Sequence, residues 1–379
     1  MSTIISGFKY KKYIIAINLI LLTLILILGH YILKTTQSKI IQGENSISDY
    51  SKIFINKCSS VSDWRTCYGV EFSNFVRTHE IDSTLSLLNT IEDLDPKTRD
   101  CHILAHYISS AVVKKDPKDW KVLLSKVNII ACNYGFIHGS IEGLSLYDKS
   151  FEITPMNIPN ICKQISQIRK NNNSDQGCAH IMGHILLAEK CDESIDTGIK
   201  KTVGECSLLP QTLQHECFAG VFMESFTRDN LVAECNTEHV AWATDYFASQ
   251  QELVCRQYTG NTASSCWQEI SHIYNALYPN QPDKVFEACN RAPNRTDMVY
   301  CYQHAVQSLA LYQNADRMYY SSLCSPFTNV PNYKACYKNV VTSLITASIK
   351  LEAKAIDFCN SINPKYQNDC IQDLRKNIN

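Results

Sequence analysis

Eight cysteines near the end of the chain, at positions 255, 266, 289, 301, 324, 336, 359 and 370, are separated by 11, 23, 12, 23, 12, 23 and 11 residues. A short gap plus a long one gives a repeat of 34 to 35 residues. That is the length of one helical hairpin in an αα-repeat array. Apolar residues at helical spacing follow the second cysteine of each pair, as in Val340, Val341, Leu344 and Ile345 after Cys336. The first cysteine ends a shorter amphipathic stretch, such as Val285 to Cys289. Between the two lies turn chemistry, for example Asn290, Pro293 and Asn294. The spacing therefore predicts that each pair staples the end of one helix to the start of the next across a short loop.

The pattern continues upstream in Cys58 with Cys67, Cys162 with Cys178, and Cys206 with Cys217. Four cysteines remain, and their simplest pairing is Cys101 with Cys132 and Cys191 with Cys235. Eighteen cysteines, an even number with no C-x-x-C spacing, argue against a zinc ribbon and for an oxidising compartment. The N-terminus supplies a route there. Tyr13 to Leu33 contains 21 residues without Asp, Glu, Lys or Arg, preceded by Lys9, Lys11 and Lys12. A helix of that length spans a ~30 Å hydrocarbon core, and the basic flank keeps the first residues in the cytoplasm. No small-x-small cleavage site follows, which favours an uncleaved anchor over a signal peptide.

The resulting expectation is an all-α chain: a right-handed αα-hairpin solenoid cross-linked by disulfides and preceded by one transmembrane helix. Its parts are a cytoplasmic tail at 1–12, the anchor at 13–33, a polar tether at 34–50, irregular repeats at 51–245, and regular stapled repeats at 246–379. This plan resembles that of secreted Sel1-like cysteine-rich repeat proteins and, in period, tetratricopeptide solenoids. The resemblance implies a curved extracytoplasmic scaffold, periplasmic or at a cell surface, that binds proteins or peptides on its concave face; it supplies no catalytic residues. A net charge of -1 gives no electrostatic footprint for nucleic acid.

Chemistry concentrates in three helices that depart from the apolar pattern. They carry His102 and His106, then His138 and Glu142, then His180 and His184. Each pair is spaced i, i+4 and so shares one helical face. Side by side, the six groups can hold one or two zinc, manganese or iron ions with positions open to water, for hydrolysis or oxidation. The alternative is that the histidines line a polar groove or satisfy buried hydrogen bonds. Gly135, Gly139, Gly143 and Gly183 suit close approach of helix backbones in either case. His215, Glu216, Glu224 and His272 read as surface or groove residues, and Asn172 and Asn294 head glycosylation sequons. No Gly-x-Ser-x-Gly, His-Glu-x-x-His or phosphate-loop motif is present, and no catalytic residue is assigned.

Overall fold

Hydroxyl and carboxyl side chains start several of the helices in this chain. Asp63 accepts from the Thr66 amide, Ser194 from Thr197 and Thr244 from Phe247, each satisfying an amide that the first helical turn leaves open. The computed structural model describes residues 46–99, 101–128, 131–169, 174–190, 194–226, 244–279, 281–312, 323–324, 330–346 and 352–378. Among these there are seventeen α-helices and no strand. They are α1 (Ile47–Cys58), α2 (Trp64–Thr78), α3 (Ile81–Leu94), α4 (His102–Lys115), α5 (Asp119–Lys126) and α6 (Gly135–Tyr147). Next come α7 (Ile158–Arg169), α8 (Ser174–Ala188), α9 (Ile195–Cys206), α10 (Gln211–Phe226), α11 (Asp245–Cys255) and α12 (Gly260–Leu277). The last are α13 (Pro282–Cys289), α14 (Arg295–Tyr312), α15 (Val330–Thr346), α16 (Glu352–Ser361) and α17 (Pro364–Ile378). Residues 54–379 form one unit.

The helices sort into two layers. The series α2, α4, α6, α8, α10, α12, α14, α15 and α17 packs each member on the next. The shorter helices α7, α9, α11, α13 and α16 lie on the helix that follows them. Neither kind can bury its apolar face alone, so the stack and the staples act together. A recurrent plug fills the junction: the residue after the second cysteine is Tyr68, Phe218, Trp267, Tyr302 or Tyr337, each buried. The Tyr302 hydroxyl also donates to the Leu323 carbonyl at 2.9 Å. Of the expected stripe on α15, Val340, Val341 and Leu344 are buried and Ile345 is half-buried.

Among the described residues eight disulfides hold this arrangement: Cys58–Cys67, Cys101–Cys132, Cys162–Cys178, Cys206–Cys217, Cys255–Cys266, Cys289–Cys301, Cys324–Cys336 and Cys359–Cys370. All eight are pairings that the spacing predicts. Peptide mapping without reduction should recover them, and a bridge joining two different hairpins of the 255–370 ladder would overturn the repeat assignment. The ninth expected bridge, Cys191 to Cys235, lies outside the described residues, as does the anchor at 13–33. Among the described residues no helix is long and apolar enough to cross a membrane.

The stack curls back on itself. The Asn133 amide, just before α6, donates to the carbonyl of Thr346 at the end of α15, 2.8 Å away. Asn133 belongs to a run of three non-glycine residues in left-handed conformation, Cys132, Asn133 and Tyr134, with φ of 53°, 49° and 64°. Each such residue costs roughly 1 to 2 kcal/mol. Flanked by the Cys101–Cys132 bridge and the start of α6, this strained turn fixes where the Cys132 carbonyl points, which matters for the site below.

Candidate metal centre

Helices α4 and α6 approach unusually closely because α6 carries glycine at 135, 139 and 143, one per turn on one face. A Cβ at Gly139 would overlap the backbone of His106, and one at Gly135 would meet the His102 carbonyl. The next seam repeats the device. Gly183 of α8 faces the Cys217 carbonyl of α10, and Gly220 of α10 faces that of His180. Side chains beside these contacts must therefore meet across the seam.

Three imidazoles do so. The ring centroids of His102 and His106 lie 4.6 Å apart, and those of His138 lie 5.2 Å from His102 and 5.3 Å from His106. One nitrogen from each falls within 4.8 Å of the others. His102 Nε2 and His106 Nε2 are 3.2 Å apart. Their other nitrogens are already committed. His102 Nδ1 lies 2.9 Å from the Cys132 carbonyl, and His106 Nδ1 lies 2.9 Å from Glu142 Oε2. A carbonyl can only accept, so His102 carries its proton on Nδ1 and turns a lone pair on Nε2 toward His106. His138 Nε2 is buried without a hydrogen-bond partner. Leaving such an atom unmet costs about 1 to 3 kcal/mol.

Of the six residues proposed from sequence, three thus converge, and Glu142 stands behind His106 and not among the imidazole nitrogens. His180 and His184 sit one ring further along. The His180 ring stacks on His138 at 5.6 Å, and that of His184 lies 6.2 Å from it. His184 repeats the carboxylate arrangement of His106, with Nδ1 2.8 Å from Glu224 Oε2. His180 Nε2 lies 3.2 Å from the Met223 sulfur. Sequence reading placed Glu224 at the surface or in a groove; it is buried. Its role is visible only once α8 and α10 are paired, because the two residues are 40 positions apart.

Burial works against charge throughout this seam. It holds His106 and His180 down to about 3, and lowers His138 well below its ordinary value with the neighbouring histidines adding to the effect. It pushes Glu142 up to about 8. The seam is then neutral and internally consistent: Glu142 O–H donates to His106 Nδ1, His106 Nε2–H donates to His102 Nε2, and His102 Nδ1–H donates to the Cys132 carbonyl. The linkage sign follows for each group. Folded Glu142 keeps a proton that the unfolded chain releases near 4.5, so stability falls as pH rises from there through about 8. Folded His106 and His180 refuse, down to about 3, a proton that the unfolded chain takes up near 6.5, so stability also falls as pH drops through that window. In chelator the protein should be most stable near pH 6.5: below it the two histidine slopes outweigh the single carboxyl slope, and above it only the carboxyl slope remains. Urea midpoints in chelator across pH check this; a maximum above pH 8 contradicts it.

A cavity of about 540 Å³ runs along the inner layer, and His102, His138, His180, His215, His272 and His304 all line it. Asn339 of α15 also lines it, so the wall closes around from α4 to α15. His215, read from sequence as a surface or groove residue, lies there with Nδ1 2.9 Å from Ser265 Oγ and Nε2 3.1 Å from Gln268 Oε1. Comparison of the chain with family profiles, curated proteins and solved structures finds no match.

Proposed function

We propose that this protein binds a divalent transition metal on His102, His106 and His138, in a right-handed αα-solenoid held outside the cytoplasm by a membrane anchor at 13–33. The observation that carries the reading is the 3.2 Å separation of two Nε2 atoms whose Nδ1 partners are already in place. Two nitrogens bound to one ion at ~2.0–2.1 Å with a tetrahedral angle lie about 3.3 to 3.4 Å apart. Carboxylate and carbonyl partners on the far nitrogens are what fix the tautomer and orientation of metal-binding histidines. His138 Nε2 supplies a third donor that has no other partner.

Three neutral imidazoles without thiolate suit zinc or iron better than manganese. A fourth position would remain for water or a ligand from the cavity. With water there, the ion would lower its pKa and open the way to hydrolysis. A second reading, a scaffold that takes a protein or peptide segment on the inner face, is favoured by the length of that cavity and its polar lining, which includes Gln176, Gln303 and Asn339.

Elemental analysis of the purified protein tests the metal reading. We expect bound metal, with one equivalent lost in His138→Ala and helix content and disulfides unchanged. If His138→Ala loses none, the site is wrong. A sharper expectation comes from the hydrogen-bond chain. Metal on both Nε2 atoms must displace the proton between them, while the Glu142 proton passes to His106 Nδ1. Binding near pH 6.5, below the Glu142 value of about 8, should therefore release about one proton per ion at this site. Calorimetry in buffers of different ionisation enthalpy measures that number; zero would contradict the proton arrangement.

A further inference from the structure

A second cluster lies on α12 and α14, away from the glycine seams. Glu269 is fully buried, and His272 and His304 are partly buried, with side chains 14% and 18% exposed. One ligand atom from each lies within 4.8 Å of the others. We infer that Glu269, His272 and His304 form a second metal site, separate from the three-histidine site, that takes a first-row divalent ion through two imidazoles and one carboxylate.

The hydrogen bonds around the cluster leave the donor atoms pointing inward. His304 Nδ1 lies 3.0 Å from the Gln268 carbonyl, so it carries the ring proton and Nε2 offers a lone pair. Ser271 Oγ, 3.0 Å from the same Nδ1, holds the ring from a second side. Gln268 Nε2 donates to Glu269 Oε1 at 2.9 Å, and Oε2 is left without a hydrogen bond. His272 Nε2 is also buried without one, although it lies only 3.3 Å from that Oε2. His304 Nε2 lies 3.9 Å from Glu269 Oε1.

An ion pair is the competing explanation, and the distances speak against it. A buried imidazolium and carboxylate close to about 2.7–2.9 Å along a directed N–H bond. Here the His272–Glu269 contact is 3.3 Å and the His304–Glu269 contact 3.9 Å, both longer than that. Ligand atoms sharing an ion at ~2.0–2.2 Å are instead separated by about 2.8 to 3.6 Å for angles between 90° and 110°, a range that holds the 3.3 Å contact, whereas the 3.9 Å one must close by a few tenths of an ångström on binding. The composition, two imidazoles and a carboxylate, suits iron(II), zinc or manganese and leaves coordination positions open. His272 and His304 line the same cavity as His102 and His138, so both sites would present those positions to one ligand space.

The test uses full-length protein in detergent, stripped and reloaded with zinc alone. Wild type should bind two equivalents, His304→Ala one, His138→Ala one, and the double variant none. His272→Ala serves as the independent variant should His304→Ala fail to fold, with circular dichroism as the check. Removing a ligand from the second site should weaken its zinc by at least about 100-fold, exceeding the effect of a partner that only orients a ligand. If wild type binds one equivalent and both His304→Ala and His272→Ala keep it, the second site does not exist. If those variants each lose one equivalent while His138→Ala loses none, the second site stands and the three-histidine reading falls.

Discussion

Alanine at Gly139 should destabilise the protein by about 1 to 3 kcal/mol, whereas alanine at Gly204 should stabilise it by about 0.5 to 1. Both glycines are inside helices, so helix propensity favours alanine in each by roughly 1 kcal/mol. The difference is what the new methyl group meets. At Gly204 there is nothing within 4 Å. At Gly139 the methyl would overlap the backbone of His106, which cannot rotate away as a side chain can. Helices α4 and α6 must separate, and the nitrogens of His102, His106 and His138 separate with them. On the proposed three-histidine site, Gly139→Ala should therefore also lose zinc, although it removes no ligand. Urea midpoints and zinc stoichiometry measure both effects; a Gly139 variant as stable as wild type would show that the close helix contact does not set the site.

Complete reduction of the disulfides should unfold the body at 25 °C. Seven of the eight described bridges close loops with sequence separations of 9 to 16 residues, and Cys101–Cys132 closes one of 31. Each is worth roughly 2 to 3 kcal/mol if unstrained. Against a typical net stability of about 5 to 15 kcal/mol, losing all of them exceeds what an ordinary domain can spare. The aromatic plugs beneath the staples do not replace them, because they bury surface only when the hairpin is already closed. Far-ultraviolet circular dichroism in chelator, with and without a strong reductant, is the measurement. Near-native helicity and cooperative melting after all thiols are titrated would mean that stacking alone sustains the fold.

The staples were legible in the sequence because a bridge across a hairpin loop joins near neighbours, and a periodic cysteine ladder records that distance directly. The site was only half legible. Spacing of i, i+4 put His102 with His106 and His180 with His184 on common faces, which needs no tertiary information. Whether Glu142 is a ligand or a partner of His106 depends on how α6 is rotated against α4. That rotation is set by Gly135, Gly139 and Gly143, whose meaning is visible only with the facing backbone in place. Glu269 and His304 were missed for a related reason. Each is a single polar residue in its own repeat, and the two become one feature only when α12 and α14 lie side by side. The Glu-x-x-His spacing of Glu269 and His272 was the available signal.

The contact between the Asn133 amide and the Thr346 carbonyl bears on how this chain can vary in length. Open repeat arrays grow or shrink by whole units, because an added hairpin needs only its two neighbours. Here the start of α6 and the end of α15 touch across the turn. One more repeat of 34 to 35 residues between them would carry Thr346 past Asn133 and unseat a strained turn whose carbonyl orients His102. Between those two residues the number of repeats is thus tied to the chemistry of the cavity, while α16 and α17 lie beyond the closure, where units can be gained or lost without disturbing it.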